Sequence, residues 1–115
     1  MIEKTVMDYL SAALSIPVYL EVPENPPTAF VLLEKTGSSR MDWISSATLA
    51  LQSWAPTLYE AAALNEQVKA AMDRMPDKED VGRAELNSDY VYTDTATKRY
   101  RYQAVYDLTY YREEE

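Results

Sequence analysis

Apolar residues recur at Ile2, Val6, Tyr9, Leu10, Ala13 and Leu14. These steps of three and four place them on one face of a helix over 2–14. Pro17 prevents its continuation, and Val18-Tyr19-Leu20-Glu21-Val22 has the β-rich make-up of a short strand. Three prolines among residues 23–27 predict a loop. Ala29-Phe30-Val31-Leu32-Leu33 is apolar at successive positions, as a central strand covered on both faces would be. Lys35 to Arg40, polar and holding Gly37, is expected to be a loop, either a projecting binding loop or a hairpin tip.

Beyond it, Trp43, Ser45, Ala47, Leu49 and Leu51 alternate with Asp42, Ile44, Ser46, Thr48 and Gln52, which predicts a long strand with one mostly apolar face. Trp43 and Trp54 bracket that strand and are expected in the core or at its margin. Pro56 suits the first turn of a helix. Leu58, Ala61, Ala62, Val68, Ala71, Met72 and Met75 share a face, so the helix is expected from Thr57 to about Met75, ended by Pro76. A charged loop over Asp77–Gly82 follows. Glu85–Thr93 then alternates, with Leu86, Tyr90 and Tyr92 on one side. Asp94–Thr97 reads as a turn. In the last strand Tyr100, Tyr102, Ala104, Tyr106, Leu108 and Tyr110 face one way, and Arg99, Arg101, Gln103, Asp107 and Thr109 the other.

The expected order is therefore α-β-β-β-α-β-β. This is an α+β fold, a mostly antiparallel sheet with two helices packed on one face. With 115 residues, 47 % of them hydrophobic, the chain fits one domain over 1–112, followed by a frayed acidic tail at 113–115.

Composition narrows the chemistry. There is no cysteine, which excludes disulfides and thiolate metal sites. There is no histidine, which removes the commonest general base and transition-metal ligand. A net charge of -8 opposes binding to duplex nucleic acid. No signal-peptide pattern opens the chain and no apolar run approaches a membrane span, so a soluble intracellular protein without membrane contact is expected. Gly37 and Gly82 stand alone, outside any phosphate-binding loop. The serines have no histidine partner. The acidic run Asp77/Glu79/Asp80 lacks the ligand spacing of a calcium loop and reads as a solvated loop. No catalytic residue, metal site or cofactor is expected.

The ten tyrosines are the unusual feature. At strand spacing they serve as cross-strand pairs under the helices, or some of them, with Tyr111 adjacent, serve as interface anchors. Lys98, Arg99 and Arg101 beside these rings suggest single-stranded nucleic acid, against which stands a plain solvated strand face or a charged edge that discourages aggregation.

Three stretches together resemble the tail terminator or tail-completion proteins of long-tailed bacteriophages. They are the opening helix leading to Pro17-Val18-Tyr19, the strand ending at Trp54 that leads into Tyr59-Glu60-Ala61-Ala62-Ala63-Leu64-Asn65-Glu66-Gln67-Val68, and the closing hairpin from Tyr90-Val91-Tyr92-Thr93-Asp94 to Tyr100-Arg101-Tyr102-Gln103-Ala104-Val105-Tyr106. The resemblance is one of order and texture over most of the chain. It implies a non-enzymatic structural protein needing no cofactor. Such a protein forms a homo-oligomeric ring, commonly a hexamer, monomeric or not before assembly. The ring caps the phage tail-tube protein, stops tube growth and presents a surface to the head–tail connector proteins. The implied setting is the virion tail, and the bacterial host cytoplasm during assembly. An acidic surface also suits a channel through which DNA must slide.

A ring needs head-to-tail contacts, and an open strand edge offers half of one. Lys35, Arg40, Arg99, Arg101 and Tyr111 are the expected subunit or partner contacts, with Arg99 and Arg101 pairing with a neighbour's carboxylates. The competing expectations are a head-closure or head–tail joining protein that binds the portal complex, and a small-ligand or peptide-binding domain with a tyrosine-lined pocket. An enzyme using only carboxylates and tyrosine ranks behind both.

Overall fold

Local chemistry sets the ends of the helices. Helix α1 spans Ile2–Leu14 and closes on Ser15, whose backbone turns left-handed (φ 55) so that its N–H reaches the Ser11 carbonyl at 3.1 Å. Helix α2 spans Leu58–Lys78, and Thr57 Oγ1 caps it by accepting the Glu60 N–H at 3.1 Å. The computed structural model describes residues 1–78, 81–94, 96 and 99–111. Residues 79–80 of the expected charged loop, 95 and 97 of the expected turn, Lys98, Arg112 and the whole acidic tail (113–115) lie outside the described residues.

Five strands complete the fold: β1 (Val18–Tyr19), β2 (Phe30–Met41), β3 (Ile44–Ala55), β4 (Val81–Val91) and β5 (Tyr100–Tyr111). They form one sheet in the order β1-β2-β3-β5-β4, parallel only between β1 and β2. Element order and α+β class are those the patterning predicts. Both helices lie on one face, α2 against β3, β4 and β5, and α1 against α2, β1 and β2.

Between the helices and the sheet lies the core. Val6 and Leu10 of α1, Val68, Met72 and Met75 of α2, and Leu33, Leu49, Leu51, Ala104, Tyr106 and Leu108 of the sheet are all buried. Each large aliphatic side chain there contributes about 1.5–3 kcal/mol relative to exposure. Tyr9 ties the helices together by donating its hydroxyl to the Ala71 carbonyl at 2.6 Å. The Tyr106 hydroxyl reaches Asp73 Oδ1 at 2.7 Å and the Lys69 carbonyl at 3.1 Å. Burial first, and the neighbouring Asp73 carboxylate second, hold that hydroxyl well above the usual tyrosine range.

Five local expectations change. Lys35–Arg40 is not a loop: it continues β2, in register with β3 after a one-residue shift between Lys35 and Gly37. Residues 34–44 are exposed throughout, so no buried face marks this ribbon with an apolar alternation. The true turn is Asp42-Trp43, with Asp42 left-handed (φ 56), a backbone that aspartate tolerates better than most residues. Trp43 therefore sits at the tip, 68 % exposed, and not in the core.

Pro76 does not end α2, which runs on to Lys78. The helix holds because Met72 and Met75, fully buried, pin its last turns against the sheet. The first strand is shorter than expected, ending at Tyr19, with Leu20 and Val22 both exposed. Finally, a register shift between Leu86 and Ser88 divides β4. Leu86 aligns with Tyr106 of the core face, whereas Tyr90 aligns with Gln103 of the opposite one. The bulge thus reverses the side-chain alternation that would have kept Leu86, Tyr90 and Tyr92 together.

Candidate assembly surfaces

The face of the sheet turned away from the helices is uncovered by any helix, yet near one end it is ordered and largely dry. Register places Phe30, Trp54 and Arg101 side by side across β2, β3 and β5, and behind them Leu32, Gln52 and Gln103, with Tyr90 beyond. Phe30 and Trp54 stack with ring centroids 5.1 Å apart, and Tyr19 meets Phe30 edge-on at 5.8 Å. The Trp54 indole N–H donates to Gln52 Oε1 at 3.1 Å. Gln52 Nε2 donates to Gln103 Oε1 at 3.1 Å, and Gln103 Nε2 donates to the Tyr90 hydroxyl at 2.6 Å. Each amide accepts from one side and donates to the other, so the run fixes four side chains across three strands. That satisfaction allows two glutamines to be buried in central strands.

Arg101 continues the row. Its guanidinium lies 4.8 Å from the Trp54 ring and 4.8 Å from the Tyr92 ring, and its Nε donates to the Tyr92 carbonyl at 2.6 Å. Arg99 lies over the same indole at 5.6 Å. Such cation–ring contacts contribute about 0.5–1 kcal/mol each at exposed sites. Beside them Pro26, Pro27, Phe30, Trp54, Arg99 and Tyr100 line a cavity of about 240 Å³.

The opposite end of the sheet is different. Met41, Trp43, Ile44 and Tyr111 are exposed by 77, 68, 48 and 67 % and stand together, because Met41 pairs with Ile44 and Ile44 with Tyr111. No ring stack or side-chain ladder orders this tip among the described residues.

The five expected contact residues thus fall in three places. Lys35 reaches back to Glu3 of α1 at 3.6 Å and ties the ribbon to its own chain. Arg40 and Tyr111 lie near the tip. Arg99 and Arg101 lie at the far end, on Trp54. The sequence reading missed Phe30, Gln52, Trp54 and Gln103 as parts of one outer-face array. A signal was present: Gln52 and Gln103 are uncharged amides set among apolar and aromatic neighbours in two long strands.

Among the described residues no three carboxylates gather as a metal site. A concavity of about 500 Å³ runs along Met7 and residues 18–24. Among the described residues no helix is long and apolar enough to cross a membrane. No family model matches the chain, and no curated protein sequence matches it.

Proposed function

We propose that the chain is a structural assembly protein that caps a bacteriophage tail tube as a ring, ends tube growth and prepares the tail for head joining. One observation carries this: the sheet has two unlike open edges. Among the described residues β1 pairs with Val31 and Leu32 of β2, and no strand lies on the outer side of β2 from Leu33 to Met41. At the other side β4 is the last strand over Val81–Val91. Unlike patches on one subunit suit heterologous contacts, and these close into rings when the relation between neighbours is a rotation. A soluble monomer leaves such edges open only at a risk of unwanted pairing, which a designated neighbour removes. The resemblance of the chain to tail terminators in element order and in its closing hairpin supplies the biological setting.

The test is light scattering after size exclusion, on the protein alone and mixed with its tail-tube protein. A ring, alone or on the tube end, is expected. A protein that stays monomeric and ignores the tube overturns the proposal, and binding to the portal complex instead redirects it to head–tail joining. A second reading, a peptide-binding domain, is favoured by the cavity of prolines, aromatic rings and Arg99. It requires a monomer in the same experiment.

A further inference from the structure

The two ends of the long axis carry complementary chemistry. At one end is the cavity beside Trp54, walled by three prolines and three aromatic rings and flanked by arginines. Its 240 Å³ is below the roughly 300–1,000 Å³ usual for small-molecule sites and suits a single large side chain. Among the described cations, Lys4, Lys35, Lys69 and Arg83 each hold a carboxylate. Arg40, Arg74, Arg99 and Arg101 hold none among the described residues, and the last two share one indole. The ring attracts these guanidiniums without neutralising them, in a chain of net charge -8.

At the other end the turn presents the converse: exposed Met41, Trp43 and Ile44 around one carboxylate, Asp42. Asp42 has no ion pair among the described residues, and its positive φ holds it at the apex. Arg40 alternates to the ribbon face opposite Met41, away from the apolar side chains. The tip cannot fill its own chain's cavity. Ile44 and Trp54 bound nearly the whole of β3, about 33 Å apart at ~3.3 Å per residue. The molecule measures 44 Å along its longest axis.

We propose that the Asp42-Trp43 tip of one copy seats in the Trp54 cavity of the next. Trp43 or Met41 enters between the prolines and rings, and Asp42 faces Arg99 and Arg101. A second copy is favoured over other occupants because this chain itself carries both halves, apolar matched to apolar and one unpaired acid to unpaired bases. The two patches are unlike, so repeated head to tail the contact builds a ring or a filament. Its role in tail capping rests on the function proposed above, but the contact itself is testable apart from it.

The chain has no cysteine, which makes site-directed crosslinking clean. Met41→Cys with Thr28→Cys in one chain places one thiol on the tip and one at the cavity wall. Mild oxidation is expected to give a ladder of covalent multimers, and Met41→Cys with Ala70→Cys, on the exposed side of α2, to give none. Adding Trp43→Ser or Arg99→Glu should slow crosslinking by about tenfold or more. Asp42→Lys together with Arg99→Glu should restore it. A ladder no stronger than the control, or one indifferent to Trp43 and Arg99, overturns the proposal. A ring that forms on tubes without this crosslink leaves the capping function standing and removes the contact. A ladder from a protein that ignores the tube does the reverse.

Discussion

The two faces of the sheet are held by different forces. The helix-covered face is a core of Leu33, Leu49, Leu51, Ala104 and Leu108 against Val6, Leu10, Val68, Met72 and Met75, and its order follows from removing apolar area from water. The uncovered face has no such partner. Around Trp54 it is ordered by hydrogen bonds in sequence, ring stacking and guanidinium–ring contacts. The contrast shows how a small domain can order a sheet face with no helix over it: directional contacts fix the buried Trp54, Gln52 and Gln103, while Tyr90, Tyr92 and Arg99 at the margin stay exposed. A partner docking there loses little entropy in ordering the site. The exposed tip around Trp43, without such contacts, is the counterpart of that preorganised receptor in the proposed assembly.

Substitutions on the two faces should therefore separate stability from assembly. Leu49→Ala, at a fully buried position, is expected to cost about 2–5 kcal/mol in denaturant unfolding. Gln52→Ala leaves the Trp54 indole N–H without its acceptor and Gln103 Oε1 without its donor, and should cost about 1–3 kcal/mol. If Gln52→Ala proves neutral, the amide run does not order the outer face.

A smaller effect is expected where α2 meets β4. Lys69 Nζ lies 2.8 Å from Asp89 Oδ2, and Asn65 Nδ2 donates to the same oxygen at 3.0 Å. The hydrogen bond from Lys69 holds the Asp89 carboxyl below its usual range against an opposing effect of burial, with further help from the Lys69 charge and Asn65. Hydrogen bonds to Asp89 and then Glu66 hold the Lys69 ammonium above its usual range. The carboxylate's contribution is then full above the unfolded aspartate value of about 3.9 and is lost as pH falls through the lower folded value. The ammonium's contribution is full below about 10.4 and is lost as pH rises through its higher folded value. Asp89→Asn should thus cost about 1 kcal/mol near neutrality and progressively less as pH falls through the folded value. A cost that persists undiminished in acid would show that packing, and not the ion pair, is what the substitution removes. Smallest of all, Trp43→Ser should change stability by no more than about 0.5 kcal/mol, because the ring is already in solvent. Loss of stability there would mean that the tip supports the fold of its own chain.

Much of the fold was legible because burial on one face writes a period into the sequence. The α1 stripe Ile2–Val6–Leu10 and the β5 alternation Ala104–Tyr106–Leu108 are examples. Where nothing is buried, nothing is written, so Lys35–Arg40 looked like a loop although, apart from the shift at Thr36, it pairs with β3. Where a bulge inserts a residue, as near Asn87, the period persists in the sequence but changes face in space. Pro76 misled because tertiary packing at Met72 and Met75 outweighed a local helix stop. Of the candidate contacts, the arginines were visible as charges beside aromatic residues. Their gathering on Trp54 was not, because Trp54 and Arg101 lie far apart in the chain and only the β3–β5 register brings them together.

Tube growth itself tests the central claim most directly. Tail-tube protein is allowed to polymerise with and without this protein at a few copies per tube, and tube lengths are measured by electron microscopy. Capping predicts short tubes of narrow length distribution, each bearing a ring at one end; the tip contact adds that Trp43→Ser returns long ones. Tubes of unchanged length with bare ends would contradict the account.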